Sequence, residues 1–259
     1  MELFTKTSST FKLVSSLEKL RARRKNGVFP VEGVRIVTEL LKTDFKIRFI
    51  IIEATTLKTI TMEKVKELAI GRGVSVRYTD KQTFDKLANT KEPQGVIALA
   101  EFPERKKHIE KKGNYVFIEK CSNPGNLGTI IRTLDFFKYD GIILSPESVD
   151  PYSPKVVRST MGSIFRLPIY ENLEFDELKI LAGKFGIKTY AFVPDNGEAM
   201  EKIDEKDNFL LVFGPETGSL PQKITNKCDM GVTITGNENT ESLNLSVAVS
   251  IAAFHFCKS

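Results

Sequence analysis

Three short segments place polar side chains beside glycine or proline in patterns that suit a binding or catalytic site. They cover residues 123–133 (NPGNLGTIIRT), 211–221 (LVFGPETGSLP) and 241–254 (ESLNLSVAVSIAAF). In the first, Asn126 offers an amide in a glycine-rich turn, and Arg132 follows six residues later. On a helix that starts near Leu127, Arg132 would lie about a turn and a half from the start of the helix, where it could reach the same crevice as the loop. A glycine-rich strand-to-helix turn with a surface arginine would give the same pattern.

The other two segments add a carboxylate and a row of small polar side chains. Glu216 follows an apolar run and a Gly-Pro turn, where its carboxylate needs hydrogen-bond partners. Ser242, Asn244 and Ser246 stand at alternate positions before an apolar stretch with helical character. Side chains of this kind satisfy free N–H groups at the start of a helix, but capping explains only one of the three.

The elements that must position these segments are the strands of a parallel sheet. Almost continuous apolar runs at residues 115–118, 141–144, 188–193, 209–213 and 230–234 alternate with helical patterns. This alternation is typical of an α/β domain whose sheet is covered on both faces. Ligands bind beyond the carboxyl ends of the strands in such sheets, and the three segments fall at or after those ends.

The preceding residues predict a smaller α/β unit. Its first element is predicted to be one amphipathic helix, beginning near Ser8 and stopping at Asn26-Gly27. Strands and helices then alternate up to the charged sequence PERKKHIEKKGN, which predicts a linker. We therefore predict a domain at residues 1–103, a linker at residues 104–113 and a second domain at residues 114–259.

Charge is divided unevenly between the two parts of the chain. The chain has 259 residues. Residues 1–112 contain 24 Lys and Arg and 14 Asp and Glu, whereas residues 113–259 contain 14 Lys and Arg and 19 Asp and Glu. A basic front part suggests binding of a polyanion. A solvated basic face without a partner explains the counts equally well.

Composition and motifs exclude several classes of protein. Hydrophobic residues make up 41% and charged residues 27% of the chain, as in an ordinary globular protein. The three cysteines are widely spaced and only two histidines occur, so we expect no metal site and reduced thiols in the cytoplasm. No secretory signal or long apolar segment is evident, so we expect no association with a membrane. The nucleotide-binding patterns GxxxxGK[ST] and GxGxxG do not occur.

In this order, the three segments resemble the motifs of the SpoU (TrmH) group of SPOUT-superfamily RNA 2′-O-ribose methyltransferases. The resemblance covers about residues 114–257, and the sequence FPVEGVR is similar to the L30e-like RNA-binding domain that often precedes that catalytic domain. It implies an α/β fold with a parallel sheet and a deep trefoil knot, binding of S-adenosylmethionine in the knot, and a homodimer whose active site is completed by both chains. This sequence departs from the family motifs at two places. The second motif usually has glycine where this chain has Ser219, and the third usually has Pro-Met where this chain has Thr235-Gly236.

The resemblance also implies roles for individual residues. It implies that five polar residues line the catalytic face: Asn126, Arg132, Glu216, Ser242 and Asn244. Cofactor contacts, largely from backbone groups, are implied for Gly214, Ile234, Leu243, Ser246 and Phe192.

For the chemistry, a guanidinium keeps its proton in proteins, so we assign Arg132 to binding the adjacent phosphate and the developing alkoxide. This assignment leaves open which group accepts the proton of the ribose hydroxyl, and Glu216 is the most conventional alternative. The first candidates for contacts with ribosomal or transfer RNA are in the basic front domain: Lys19, Arg21, Arg23, Arg24 and Lys25, with Arg35 second.

Two other functions compete with the methyltransferase. The first is a non-catalytic RNA-binding or ribosome-assembly protein that keeps the knotted dimer, which would not bind S-adenosylmethionine. The second is a nucleotide-dependent α/β enzyme, which the missing phosphate motifs disfavour.

Overall fold

A computed structural model describes residues 3–204, 207–237 and 242–257. Contacts divide the chain into two compact units, which we call unit 1 and unit 2. Unit 1 consists of residues 1–104 and 150–165, and unit 2 of residues 105–149 and 166–259. Residues 150–165 pack with the first unit, which the sequence analysis did not predict. The predicted domain boundaries at residues 103 and 114 stay a prediction.

Unit 1 is built around a five-stranded sheet with the strand order β1-β4-β3-β5-β2. The strands are β1 (Leu3–Phe4), β2 (Val28–Glu32), β3 (Ile47–Glu53), β4 (Val76–Thr79) and β5 (Val96–Glu101). The helices are α1 (Ser9–Ser16), α2 (Leu20–Asn26), α3 (Val34–Leu41), α4 (Ile60–Gly71), α5 (Lys81–Asp85) and, from the later segment, α7 (Pro154–Ser159). Strand β5 pairs antiparallel with β2 and β3, while β3 and β1 run parallel to β4.

The single helix predicted for residues 8–26 is wrong, because the structure has two helices there. Helix α1 starts at Ser8, whose side chain accepts from the N–H of Phe11, and α2 ends at Gly27 in the left-handed conformation, as the signals predicted. At the end of α1, the hydroxyls of Ser15 and Ser16 donate to carbonyls of the preceding turn. Such bonds compete with the helical hydrogen bonds and favour the end of a helix.

Unit 2 is built around a seven-stranded sheet with the order β10-β12-β9-β11-β6-β7-β8, and all of its strand pairs are parallel. The strands are β6 (Tyr115–Ile118), β7 (Gly141–Leu144), β8 (Ile169–Glu171), β9 (Lys188–Phe192), β10 (Glu198–Ala199), β11 (Phe209–Phe213) and β12 (Met230–Thr233). The helices are α6 (Pro124–Phe136), α8 (Phe175–Phe185), α9 (Gln222–Thr225) and α10 (Leu245–Phe256). The central strands β6, β7 and β11 are entirely buried, as expected for a parallel sheet covered on both faces.

The order of the strands brings the three polar segments together. Strands β6 and β11 are neighbours, and β9 and β12 follow on the same side. Because these strands are parallel, the residues after Ile118, Phe192, Phe213 and Thr233 emerge at one edge of the sheet. Helix α10 then packs against α6, where the hydroxyls of Thr133 and Ser250 lie 3.1 Å apart.

The predicted linker is fixed to unit 2 over most of its length. Ile109, in the middle of the charged segment, is 1% exposed and belongs to the core of unit 2. The hydroxyl of Tyr115 donates to the carbonyl of Lys111, and the N–H of Asn114 donates to Asp140. One buried apolar side chain therefore anchors a segment that composition alone describes as solvated.

Candidate functional site

The first polar segment forms the start of helix α6. The side chain of Asn123 caps the helix by accepting from the N–H groups of Gly125 and Asn126, and Pro124 occupies the first turn. Both features favour a helix start at this position, so α6 begins at Pro124, earlier than the start near Leu127 that we expected. Asn126 consequently lies in the first turn of α6 and is 9% exposed.

The second segment brings Glu216 into contact with the residues that precede α6. Its carboxylate accepts from the backbone N–H groups of Ser122 and Asn123 and from the hydroxyl of Ser122, each over 2.9 Å. The amide nitrogen of Asn126 is 3.3 Å from one of its oxygens, and the Cys121 thiol lies 3.5 Å away. These contacts fix the loop after β11 to the loop after β6.

The hydrogen bonds also determine the charge of Glu216. Burial of the carboxyl group raises its pKa, but the hydrogen bonds donated by Ser122 and Asn123 outweigh burial and lower the pKa of Glu216 to about 2. A carboxylate with so low a pKa is a weak base, and its oxygens are already occupied. The structure therefore argues against the alternative in which Glu216 takes the proton of the ribose hydroxyl. Burial and the neighbouring Glu216 raise the pKa of the Cys121 thiol, which keeps it protonated.

The third segment completes a chain of hydrogen bonds. Asn244 caps helix α10, and its side-chain oxygen accepts from the N–H of Ser246 over 2.9 Å and from the hydroxyl of Ser246 over 2.7 Å. Its amide nitrogen donates to the side-chain oxygen of Asn126 over 3.2 Å. Glu216, Asn126, Asn244 and Ser246 thus form one connected row that joins all three segments.

Arg132 and Ser242 lie outside this row. Arg132 is exposed on α6, and within the described ranges no acceptor or carboxylate binds its guanidinium. Ser242 is exposed just before α10, and no hydrogen bond joins it to Asn244 or Ser246 among the described residues. An exposed, uncommitted guanidinium on the helix that carries Asn126 is available to an incoming phosphate.

The residues predicted to contact the cofactor lie at adjacent strand ends. Gly214 directly follows β11, and a side chain at this position would come within 2.6 Å of the backbone nitrogen of Leu220. Phe192, the last residue of β9, stacks on Phe213 with ring centroids 4.3 Å apart. Ile234 follows β12 and Leu243 precedes α10. In the described part of the chain, no hydrogen bond engages the backbone groups of Ile234 and Leu243.

This arrangement fits a nucleoside-like cofactor. Sites for such ligands are largely apolar, with a few convergent polar groups that are often backbone N–H and C=O. The stacked aromatic pair and the uncommitted backbone groups at neighbouring strand ends supply both. Among the described residues, no group of three or more His, Cys, Asp or Glu could hold a metal ion, and no helix is long and apolar enough to cross a membrane.

The predicted RNA-binding residues have different environments in unit 1. Arg21, Lys25 and Arg35 are exposed, whereas Arg23 is 2% exposed. The guanidinium of Arg23 donates to the carbonyls of Leu17 and Glu18 over 2.7 Å each and pairs with Asp150 at 2.5 Å.

This environment argues against a contact between Arg23 and RNA, because all three guanidinium nitrogens are committed to carbonyls at the end of α1 and to the carboxylate of Asp150. The role of Arg23 stays a prediction. Arg24 is partly engaged as well. Its guanidinium lies 3.5 Å from Asp150 and 4.6 Å above the ring of Phe102.

The sequence analysis did not identify Ser122, which also belongs to the site. Ser122 provides two of the bonds that hold Glu216, and only the pairing of β6 with β11 brings them together. No spacing between residues 122 and 216 could have revealed this contact.

Comparisons with known proteins agree with this geometry. Residues 113–254 match the model of the SpoU rRNA Methylase family, and residues 9–98 match the MRM3-like substrate binding domain. The chain is 29% identical over 242 residues to the 23S rRNA (guanosine(2553)-2′-O)-methyltransferase RlmP of Bacillus subtilis, covering 92% of both chains.

Solved structures give the same result. The AdoMet-bound rRNA methyltransferase of Sinorhizobium meliloti is 27% identical, with a TM-score of 0.85 over 98% of this chain and 96% of the other. The SpoU methyltransferase AviRb of Streptomyces viridochromogenes, solved with AdoMet, shares the fold at 23% identity, with a TM-score of 0.83 over 96% of both chains. The predicted fold class and family resemblance are confirmed, and this chain belongs to the SpoU rRNA methylase family.

Proposed function

We propose that this protein transfers a methyl group from S-adenosylmethionine to a ribose 2′-hydroxyl of ribosomal or transfer RNA. The observation that carries the proposal is the hydrogen-bonded row from Glu216 through Asn126 to Asn244, beside strand ends that fit the cofactor. Relatives named as RNA 2′-O-methyltransferases and a related structure with bound AdoMet support the reaction and the cofactor.

The residues contribute mainly by orientation. S-adenosylmethionine supplies an electrophilic methyl group on a sulfonium, and the ribose oxygen must approach it in line with the leaving sulfur. Backbone groups at Gly214, Ile234 and Leu243 and the ring of Phe192 hold the cofactor, and Ser246 keeps Asn244 in place. Asn126, Asn244 and Ser242 orient the ribose. Glu216 fixes Asn126, so it positions the amide rather than moving a proton.

Arg132 binds the phosphate next to the reacting ribose and stabilises the alkoxide that develops on its oxygen. Its guanidinium is exposed two turns into α6, on the helix that carries Asn126. Charge-assisted hydrogen bonds of this type strengthen as negative charge develops on the ribose oxygen. They therefore stabilise the transition state more than the ground state, which lowers the barrier to methyl transfer.

A second copy of the chain completes the site in this proposal. Helices α6 and α10 expose a set of large apolar side chains: Phe136 is 78% exposed and Phe254 69%, with Val247 and Ile251 beside them. Phe136 follows Arg132 by about one turn of α6, and α6 packs against α10. Burying these apolar side chains between two protomers would remove the patch from water and bring a second chain to the guanidinium.

The path of the chain supports the deep trefoil knot. Strand β12 lies beyond β9, yet the following helix α10 packs on α6, which follows β6. The two described ends of this connection therefore lie beside different strands of the sheet, as the knot requires. We also place the protein in the cytoplasm, which a ribosomal or transfer RNA substrate favours.

The experiment has two parts. Calorimetry with S-adenosylmethionine measures cofactor binding by the full chain, and mapping of 2′-O-methyl groups in total RNA from a deletion strain identifies the nucleotide that loses its methyl group. We expect binding and the loss of a site. A chain that binds RNA but no cofactor would instead be a non-catalytic RNA-binding protein.

A further inference from the structure

The segment between the two predicted domains is a basic strip attached to unit 2. Residues 105–112, with the sequence RKKHIEKK, contain five Lys or Arg and one Glu. All of them except the buried Ile109 are exposed. Without this strip, unit 2 would have 12 Lys and Arg against 18 Asp and Glu. The strip is therefore a local positive surface on an otherwise acidic unit.

Side-chain contacts hold the strip along the edge strand β8. The guanidinium of Arg105 donates to the carbonyl of Glu171 over 3.3 Å, and the Lys106 ammonium lies 5.9 Å from the centre of the Tyr170 ring. At the other end, the Lys111 ammonium pairs with Asp140 at 2.7 Å. Together with the buried Ile109, these contacts fix the direction of the strip.

That direction places one end of the strip on the same side of the sheet as the candidate site. Glu171 is the last residue of β8, so Arg105 lies at the carboxyl edge, whereas Asp140 precedes β7 at the amino edge. Strand β8 is two strands away from β6, whose following loop leads to Asn126. At a spacing of about 4.8 Å between strands, the separation across the sheet is about 10 Å. A bound RNA strand of a few nucleotides spans that distance.

We infer that Lys106 and Lys107 form a phosphate-binding surface of the methyltransferase domain, which holds the RNA strand beside the nucleotide to be methylated. The inference rests on the proposed function and extends it to a substrate contact within unit 2. Neither Lys106 nor Lys107 has an ion-pair partner among the described residues, and the Lys106 ammonium lies over the ring of Tyr170. Both ammonium groups are thus available to phosphate oxygens.

A pair of double variants of the full chain tests the inference. Lys106→Gln with Lys107→Gln removes two charges from the strip, and Lys138→Gln with Lys184→Gln removes two from the amino edge of the same sheet. The pairs are matched, because all four side chains are exposed and Lys184 also lies over a ring, 5.6 Å from Phe185. Binding of a mixed-sequence single-stranded RNA is measured at several salt concentrations, and thermal unfolding checks the fold.

We expect the strip variant to lower the slope of log affinity against log salt concentration by about 1.4, since each lost phosphate contact is worth about 0.7. The control should keep its slope, and KM for RNA should rise in the strip variant while kcat stays unchanged. An unchanged slope, or an equal decrease in the control, would overturn the inference. Calorimetry with S-adenosylmethionine separates the two proposals. If the wild-type chain binds the cofactor but the strip variant keeps its salt slope, the proposed function stands and only the inference about Lys106 and Lys107 is contradicted.

Discussion

At the scale of single residues, the candidate site depends on three polar side chains that hold one another. Glu216 receives bonds from Ser122 and Asn126, and Asn126 receives one from Asn244. Each group has its hydrogen-bonding capacity largely used within the protein, so the row is preorganised before any substrate arrives. In the proposed mechanism, the uncommitted guanidinium of Arg132 is available to the phosphate of the substrate.

Arg132→Ala should therefore reduce methyl transfer by about 100-fold or more, the loss typical of removing one group that stabilises developing charge. Affinity for S-adenosylmethionine should stay within severalfold, because the cofactor rests on other elements. Single-turnover transfer and calorimetry measure the two effects. A variant with a nearly unchanged single-turnover rate would contradict the role of Arg132.

Glu216→Gln should lower the free energy of unfolding by about 1 to 3 kcal/mol at neutral pH, because an amide nitrogen would face the donors that Glu216 accepts from. The pKa of Glu216 is about 2 in the folded chain and about 4.3 in an unfolded one. Its contribution is complete above about pH 4.3 and is lost as the pH falls through about 2.

The difference in unfolding free energy between wild type and Glu216→Gln should therefore shrink at acid pH, which denaturant unfolding at a series of pH values measures. Ser122→Ala is the control, since both backbone N–H groups remain and the loss should be smaller. A difference independent of pH would show that Glu216 has an ordinary pKa.

At the scale of secondary-structure elements, the ends of α1 and α2 determine which basic residues can reach RNA. The guanidinium of Arg23 holds the carbonyls at the end of α1 and the carboxylate of Asp150, which lies just before α7. Arg21 lies on the same short helix and is exposed. Two arginines two positions apart therefore have different environments.

Arg23→Ala should lower the free energy of unfolding by about 1 to 3 kcal/mol, because the carbonyls of Leu17 and Glu18 lose their donors and Asp150 keeps only the more distant Arg24. Arg21→Ala should change it by less than about 0.5 kcal/mol and should lower the salt slope of RNA binding by about 0.7 to 0.9. Chemical denaturation and filter binding measure the two quantities. A stable Arg23→Ala chain with a reduced salt slope would support the original RNA-binding prediction.

At the scale of the whole molecule, the contrast in charge is smaller than the sequence indicated. Unit 1 has 21 Lys and Arg against 14 Asp and Glu, and unit 2 has 17 against 19. The contrast shrinks because the basic strip at residues 105–112 belongs to unit 2. RNA contacts are therefore expected on both units.

The exposed apolar patch predicts that the chain is a dimer, so light scattering should give about twice 29.1 kDa. Phe254→Glu should yield a monomer and abolish methyl transfer, since a charge would be buried at the interface. Ile180→Glu is the matched control, because Ile180 is 74% exposed on α8, away from the patch. A monomeric wild type, or an Ile180→Glu variant that dissociates equally, would refute the proposed interface.

The sequence by itself determined the family, the α/β class and five of the seven strands described in the second sheet, but not the short edge strands β8 and β10. Apolar runs such as residues 115–118 and 209–213 are local signals, and the structure has strands at those positions. The three motifs could be found for the same reason, since each lies within a short stretch. A helix cap such as Ser8 is local too, and it marked the start of α1 correctly.

Only the tertiary structure decided which of these residues act together. The bonds from Ser122 to Glu216 and from Asn244 to Asn126 join positions far apart in the chain, and they exist because parallel strands end at one edge of the sheet. The ion pair between Arg23 and Asp150, and the packing of Ile109 in the core of unit 2, likewise depend on residues that are distant in the chain. Composition counts a charged residue in the same way wherever it lies, whereas burial and pairing in the folded chain decide whether its charge is available.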